Sequence, residues 1–317
     1  MRTQGEVRGG GWTVDPRRVR RRPRRWVPLL AGVVSLGLGV GLVAVWTGWR
    51  PLAAAAQAKP ELGLFVGGER VSSVTALAAT LRVRAQVITV YAAGPSYTTF
   101  IGPTDTSLRL LLGVGAVTPA EATTIGDRLV ATGHANTILR IMWEMNGNWF
   151  PWGTEAMTAA QYIAVYRAAV RAFAAVLGNH FQYVWNVNVG TVERGRTEFD
   201  TYPGNAYVSN VGLDFYNYNR ALGAGTREST VAVALAFAAA HHRPTSLDEW
   251  GVDGEDDPAY IDFVAQLVHN PANHVTLQAY FSDGSSTLTR YPKALAEYTK
   301  DFARDSPLAR PRVTSPQ

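Results

Sequence analysis

Thr137-Ile138-Leu139-Arg140-Ile141-Met142-Trp143-Glu144-Met145-Asn146-Gly147-Asn148-Trp149-Phe150-Pro151-Trp152 opens as a short apolar run and closes on an acid, amides, a glycine and three tryptophans. Its first part reads as a strand buried on both faces, and its second part as the loop beyond the strand end. Those groups suit carbohydrate chemistry. A carboxyl can protonate or attack at a glycosidic bond, amides can hold sugar hydroxyls, and indole faces can stack on the C–H faces of pyranose rings. The same segment alone also suits a Trp-rich core piece with Glu144 at a solvated strand end. What separates the two readings is a second carboxylate, which this chemistry requires.

Pro244-Thr245-Ser246-Leu247-Asp248-Glu249-Trp250-Gly251 supplies one. It is another short strand-like run that ends in acid, aromatic and glycine. Between and around these two runs, β-like and helix-like patterns alternate, which argues for a parallel sheet covered by helices. Eight strands are predicted, at 61–66, 86–91, 110–114, 137–142, 181–187, 211–215, 245–248 and 275–280. The clearest helices are predicted at 159–177, 230–241, 258–268 and 291–302, with Thr158 and Ser229 as N-caps and Gly178 as a C-cap. The run near Leu112 also suits a helix.

Eight βα units in a domain of residues 61–305 match a (β/α)8 TIM barrel. A doubly wound open sheet competes, but no glycine-rich phosphate loop follows the first strand, since Gly63 and Gly67-Gly68 lack that spacing. In a barrel, Glu144 ends the fourth strand and Glu249 the seventh, so both fall at the C-terminal mouth where barrel active sites lie. Strand alternation places Arg140, Met142 and Glu144 on one face if the strand stays regular. Arg140 then points into the barrel beneath the acid, either to hold a carboxylate for chemistry or to balance a buried charge.

The N-terminus differs in kind. The first fifty residues hold ten Arg, no Lys and only two acids, whereas the remaining chain has twenty basic and twenty-three acidic residues. The chain's basicity therefore belongs to the tail, and the rest carries no nucleic-acid footprint. Trp26 to Trp46 is free of charge and long enough to span a bilayer core of roughly 30 Å as a helix. The arginines before it predict a cytoplasmic tail at 1–25, a transmembrane anchor at 26–49, a linker at 50–60, the domain outside the membrane, and a C-terminal tail at 306–317. The competing reading is a cleaved signal peptide and a secreted domain, since 53–58 offers small residues. With no cysteine, disulfides and thiolate metal sites are excluded, and the six histidines form no zinc-protease pattern.

Three motifs in order resemble glycoside hydrolase family 26, the β-mannanase family of the barrel-glycosidase clan. They are Arg140-x-x-x-Glu144 with Met145-Asn146-Gly147-x-Trp149-x-x-Trp152, Tyr202-Pro203-Gly204-Asn205-Ala206-Tyr207-Val208 leading into Val211-Gly212-Leu213-Asp214-x-Tyr216-Asn217, and Glu249-x-Gly251. The resemblance implies a retaining reaction with Glu144 as general acid/base and Glu249 as nucleophile, no cofactor and no metal. It implies that Tyr216 hydrogen-bonds the nucleophile. Trp143 stands where the family's mannanases usually have histidine, and Ser209-Asn210 where an acidic and aromatic pair is common, which leaves mannan, glucan, xylan and exopolysaccharide open as substrates. The expected substrate-binding set is Arg140, Trp143, Asn146, Trp149, Trp152, Tyr216 and Trp250, with polysaccharide and membrane as the partners. The alternative is an inactive or catalytically weak cell-surface polysaccharide-binding protein; a membrane-anchored scaffold without sugar affinity is a third reading.

Overall fold

The computed structural model describes residues 59–68, 70–92, 106–189, 198–217 and 226–304. Eight parallel strands close into a barrel in sequence order. They are β1 (Glu61–Val66), β2 (Val87–Ala92), β3 (Arg109–Val114), β4 (Ile138–Ile141), β5 (Gln182–Asn188), β6 (Asn210–Tyr216), β7 (Thr245–Gly251) and β8 (Val275–Ser282). β8 pairs with β1 from Glu61↔Leu277 to Val66↔Ser282, which completes the ring. The expected barrel is present, and the run near Leu112 is a strand rather than a helix. Its side chains are buried because a closed parallel sheet has no solvated face.

Six α-helices lie among the described residues: α1 (Val71–Leu81), α2 (Pro119–Ala131), α3 (Ala159–Ala174), α4 (Thr226–Ala240), α5 (Pro258–His269) and α6 (Pro292–Phe302). Thr158 caps α3 as expected: its side chain accepts from the Gln161 N–H, and Gln161 bonds back to the Thr158 N–H. Thr118 makes the same reciprocal cap on α2 with Glu121. Such a cap satisfies two otherwise orphaned N–H groups. Two sequence expectations shift. Ser229 lies inside α4, whose helix begins at Thr226. Gly178 is in the left-handed region at φ 75°, but α3 has already ended at Ala174, so the glycine turns the chain rather than capping the helix directly.

Inward-facing residues stack in layers along the barrel axis. Toward its N-terminal end Val87, Leu111, Ile138, Val184, Leu277 and Ala279 form a small apolar plug. Two residues further along β4 and β5 stand Arg140 and Asn186, joined by Asp214 of β6, all fully buried. The period of two carries β4 and β5 from the plug to this polar layer. No described helix is long and apolar enough to cross a membrane. The predicted anchor at 26–49, the basic tail at 1–25 and the C-terminal tail at 306–317 lie outside the described residues, as does nearly all of the linker at 50–60.

Candidate active site

β7 does not alternate. Leu213 of β6 pairs with Leu247, but the next residue, Asp214, pairs with Glu249, so Asp248 is an extra residue in the ladder. This irregularity brings two consecutive acids to the same cation: Arg140 lies 3.8 Å from Asp248 through Nε and 3.5 Å from Glu249 through Nη1. A regular strand would have sent them to opposite faces. Gly212 of β6 makes the room, because an added Cβ would collide with the Asp248 carboxylate, Val184 and the Asn186 amide.

Arg140 is the hub of the polar layer. It forms an ion pair with Asp214, donates to the Tyr91 hydroxyl at 3.0 Å and to Asn186 Oδ1 at 3.3 Å. Burial works against its charge, yet Asp214, Tyr91, Asp248 and Glu249 surround it and raise its pKa, keeping it protonated. Asn186 donates to Asp214 at 2.8 Å and to Asp248 at 2.9 Å, tying the two acids together. Burial pushes the Asp248 carboxyl up to about 6 against the pull of Arg140.

Above this layer stand the two glutamates. Glu249 receives a hydrogen bond on each oxygen, from Tyr216 on Oε1 at 2.5 Å and from Tyr91 on Oε2. Arg140, Tyr91 and Tyr216 thus hold it as an acceptor. Glu144 lies beyond the end of β4, with its own φ at 51° and that of Met142 at 47°. Left-handed backbone at two non-glycine residues costs roughly 1–2 kcal/mol each. The regular alternation expected through Met142 therefore stops at Ile141, and Met142 joins the large apolar cluster. The Glu144 N–H bonds to both the backbone oxygen and Oδ1 of Asn186, at 3.2 Å each. Its carboxylate accepts from Asn188 at 2.5 Å and from the Trp149 indole at 2.9 Å. Burial first, and the charge of Glu249 second, raise Glu144 to about 7, while the bonds from Asn188 and Trp149 and the Arg140 charge oppose them. One carboxylate oxygen from each of Glu144, Glu249 and Asp214 lies within 4.8 Å of the others.

Not every expected binding residue reaches the mouth. Trp149 does, at 46% exposed, while Tyr216 is buried with its hydroxyl donating to Glu249. Arg140 is sealed beneath the glutamates and can reach no sugar. Trp250 is wholly buried in the outer layer, donates to Gln278 at 2.9 Å and stacks on Tyr298, because the extra residue in β7 sends Glu249 inward and the next side chain outward. Asn146 spends its amide on the Asn188 main chain, accepting from the N–H at 2.9 Å and donating to the carbonyl at 2.7 Å. Trp143 and Trp152 are buried against one another and Phe150, with the Trp152 indole donating to the Trp143 carbonyl at 2.8 Å. They brace the loop that carries Trp149 rather than offering a platform. Sequence reasoning missed Tyr91, Asn186, Asn188 and Asp214 as partners of the glutamates. Period-two spacing in β5 and β6 could have found the last three; Tyr91 carried no signal beyond an aromatic at a strand end.

A cavity of about 280 Å³ lies elsewhere: Glu61, Arg84, Gln86, Arg109 and His134 line it at the N-terminal end of the barrel, remote from the glutamates.

With this geometry in view, the model of glycosyl hydrolase family 26 matches residues 127–249, a span that contains both glutamates and Asp214. The fold is a (β/α)8 barrel, and the matched span carries the similarity to glycosyl hydrolase family 26 that the three motifs indicate. It is 26% identical over 181 residues to endoglucanase H of Acetivibrio thermocellus, covering 53% of this chain and 20% of that one. The chain thus spans about a fifth of the length of that relative. It also shares its fold with a family-26 β-mannanase from Bacteroides ovatus, at TM-score 0.59 and 13% identity over 78% of this chain and 89% of the other. A modular endo-β-1,4-mannanase from Cellulomonas fimi superposes at TM-score 0.56 and 17% identity, over 75% and 70% of the two chains.

Proposed function

We propose that this chain hydrolyses a β-linked polysaccharide with retention of configuration, using Glu144 as acid/base and Glu249 as nucleophile. The approach of their carboxylate oxygens to within 4.8 Å carries the reading, because covalent retention needs carboxyl groups about 5–5.5 Å apart and inversion leaves a wider gap for water. Glu249 attacks the anomeric carbon as the glycosidic C–O bond breaks, and the leaving oxygen takes the proton of Glu144. Glu144 then removes a proton from water, whose oxygen attacks the same carbon and releases Glu249 from the ester. The unlike environments of the two acids support this division: Glu144 is raised toward neutrality, whereas Glu249 lies beside Arg140 with both oxygens accepting.

The names of the similar proteins, mannanases and an endoglucanase, favour a β-1,4-linked mannan or glucan as substrate. The uncharged run at 26–46 behind nine arginines supports an outward-facing membrane anchor, to be tested by protease shaving of intact cells.

Release of reducing ends from mannans, glucans, xylans and producer-cell polysaccharide tests the activity, with proton NMR of the first-formed anomer to read the stereochemistry. The expected result is activity on one polymer with retention, lost in both Glu144→Gln and Glu249→Gln, and kcat/KM that falls as pH rises through about 7 while Glu144 loses its proton. Binding of a polymer without turnover, equal in all three proteins, would replace the enzyme by a binding protein.

A further inference from the structure

Asn188 closes β5 in a clamp. Asn146 grips its main chain from both sides, at 2.9 and 2.7 Å, and its own carboxamide nitrogen donates to Oε1 of Glu144 at 2.5 Å. Asn146 is only two residues beyond Glu144, so the loop that carries the acid is pinned to the end of β5 by three hydrogen bonds. The Glu144 N–H adds a fourth and fifth, donating to the main-chain oxygen and Oδ1 of Asn186. An amide nitrogen has hydrogens to give and no lone pair to offer, so the oxygen facing it can only accept.

We propose that Asn188 is a positioning residue for the acid: it anchors the Glu144 carboxylate by Oε1 and leaves Oε2, the oxygen beside Trp149, as the one that meets the glycosidic oxygen. The inference rests on the assignment of Glu144 as acid/base and adds which oxygen does the work. Oε1 points into the protein, where Asn188 is 7% exposed, and Oε2 meets the indole N–H of Trp149, a ring that is nearly half exposed. A glycosidic oxygen arriving at the mouth reaches Oε2 without disturbing the clamp. It takes the place of the indole as the partner of that oxygen.

The amide bond also favours the ionised carboxylate and so opposes the upward pull of burial and of Glu249. The other charged groups facing Glu144 are Asp214 from β6 and Arg140 from β4, and the hydroxyls of Tyr91 and Tyr216 sit on the far side of Glu249. Had the carboxamide presented its oxygen instead, Asn188 would stabilise the protonated acid, and its loss would shift the titration the opposite way.

The test is a linkage titration on the full chain that needs no turnover. The difference in unfolding free energy between the parent and Glu144→Gln is followed from pH 5 to 10, with and without Asn188→Ala. The midpoint of that difference reports the proton affinity of Glu144 in the folded state. With Asn188 present it is expected at about 7; with Asn188→Ala it should rise by roughly one unit or more. Asn188→Leu, which keeps the branched shape but cannot donate, gives the same comparison if the alanine variant does not fold. The basic limb of kcat/KM should move upward in step. A midpoint that stays or falls, or a lower kcat with an unmoved basic limb, would overturn the proposal and leave Asn188 a packing residue. Failure of every polysaccharide to react would instead strike at the enzyme reading, while the titration still decides the role of the amide.

Discussion

Arg140 is the residue on which the most groups depend. Its guanidinium is the partner of Asp214, stands within ion-pair distance of Asp248 and Glu249, and orients the Tyr91 hydroxyl. Arg140→Met leaves the acids buried without their counter-charge, and removal of one partner from such a group typically costs about 3–5 kcal/mol. Denaturant unfolding should show that loss, with the deficit growing as pH rises because the stranded carboxylates then have to ionise. The two tryptophans on either side of the barrel wall should behave in opposite ways. Trp149→Ala removes an exposed ring at the mouth and should raise KM by up to about tenfold, the worth of one aromatic contact. Trp250→Ala should leave KM near the parent value and instead cost about 3–5 kcal/mol of stability, because its ring is packed on Tyr260, Tyr280, Tyr298 and Phe302.

At the scale of elements, β6 and β7 build the site together. The extra residue at Asp248 is what allows both Asp248 and Glu249 to reach Arg140, and Gly212 on the neighbouring strand accommodates it. Gly212→Ala should therefore destabilise by about 1–3 kcal/mol, the usual cost of overpacking, and also depress kcat, since displacing Asp248 disturbs the Arg140 contact behind the nucleophile. Unfolding midpoints and kinetics on one preparation check both effects. Loss of stability with kcat intact would detach the glycine from the chemistry. β4 contributes differently: it is only four residues long, and the two left-handed residues after it turn Glu144 over the mouth. The Glu144 N–H donates to two oxygens of Asn186 and so holds that turn, which means that strand and loop are positioned by β5 rather than by their own sequence.

For the whole molecule, the buried acids set how stability responds to pH. Glu144 titrates at about 7 instead of the ordinary 4.5, and Asp248 at about 6 instead of 3.8. Both folded values lie above the unfolded ones, so between pH 4 and 7 the folded state binds more protons. The stabilisation is complete below about pH 4 and is lost as pH rises through 6 and 7. Each group carries on the order of 3 kcal/mol of this dependence. Tm should consequently climb on acidification from pH 8 to pH 5, and Glu144→Gln should flatten the climb by holding its value at high pH. A Tm that falls steadily over that interval in the parent would contradict the burial of these acids in their raised state.

The order of eight strands and the two acid-bearing strand ends were legible in the chain itself, because buried parallel strands leave contiguous apolar runs and Glu144 and Glu249 follow two of them. Thr158 announced its helix for an equally local reason: the capping residue and its Gln161 partner are three positions apart. Whatever depends on parity or on the neighbouring strand was not legible. Trp250 looked as available as Trp149 until the extra residue in β7 turned it outward, and Asn146 looked free for a sugar until the Asn188 main chain took both ends of its amide. Sequence periodicity fixes which residues share a strand. Only closure of the barrel decides which of them face one another, since Tyr91, Arg140, Asn188, Asp214 and Glu249 come from five strands and meet because the ring brings them to a common axis.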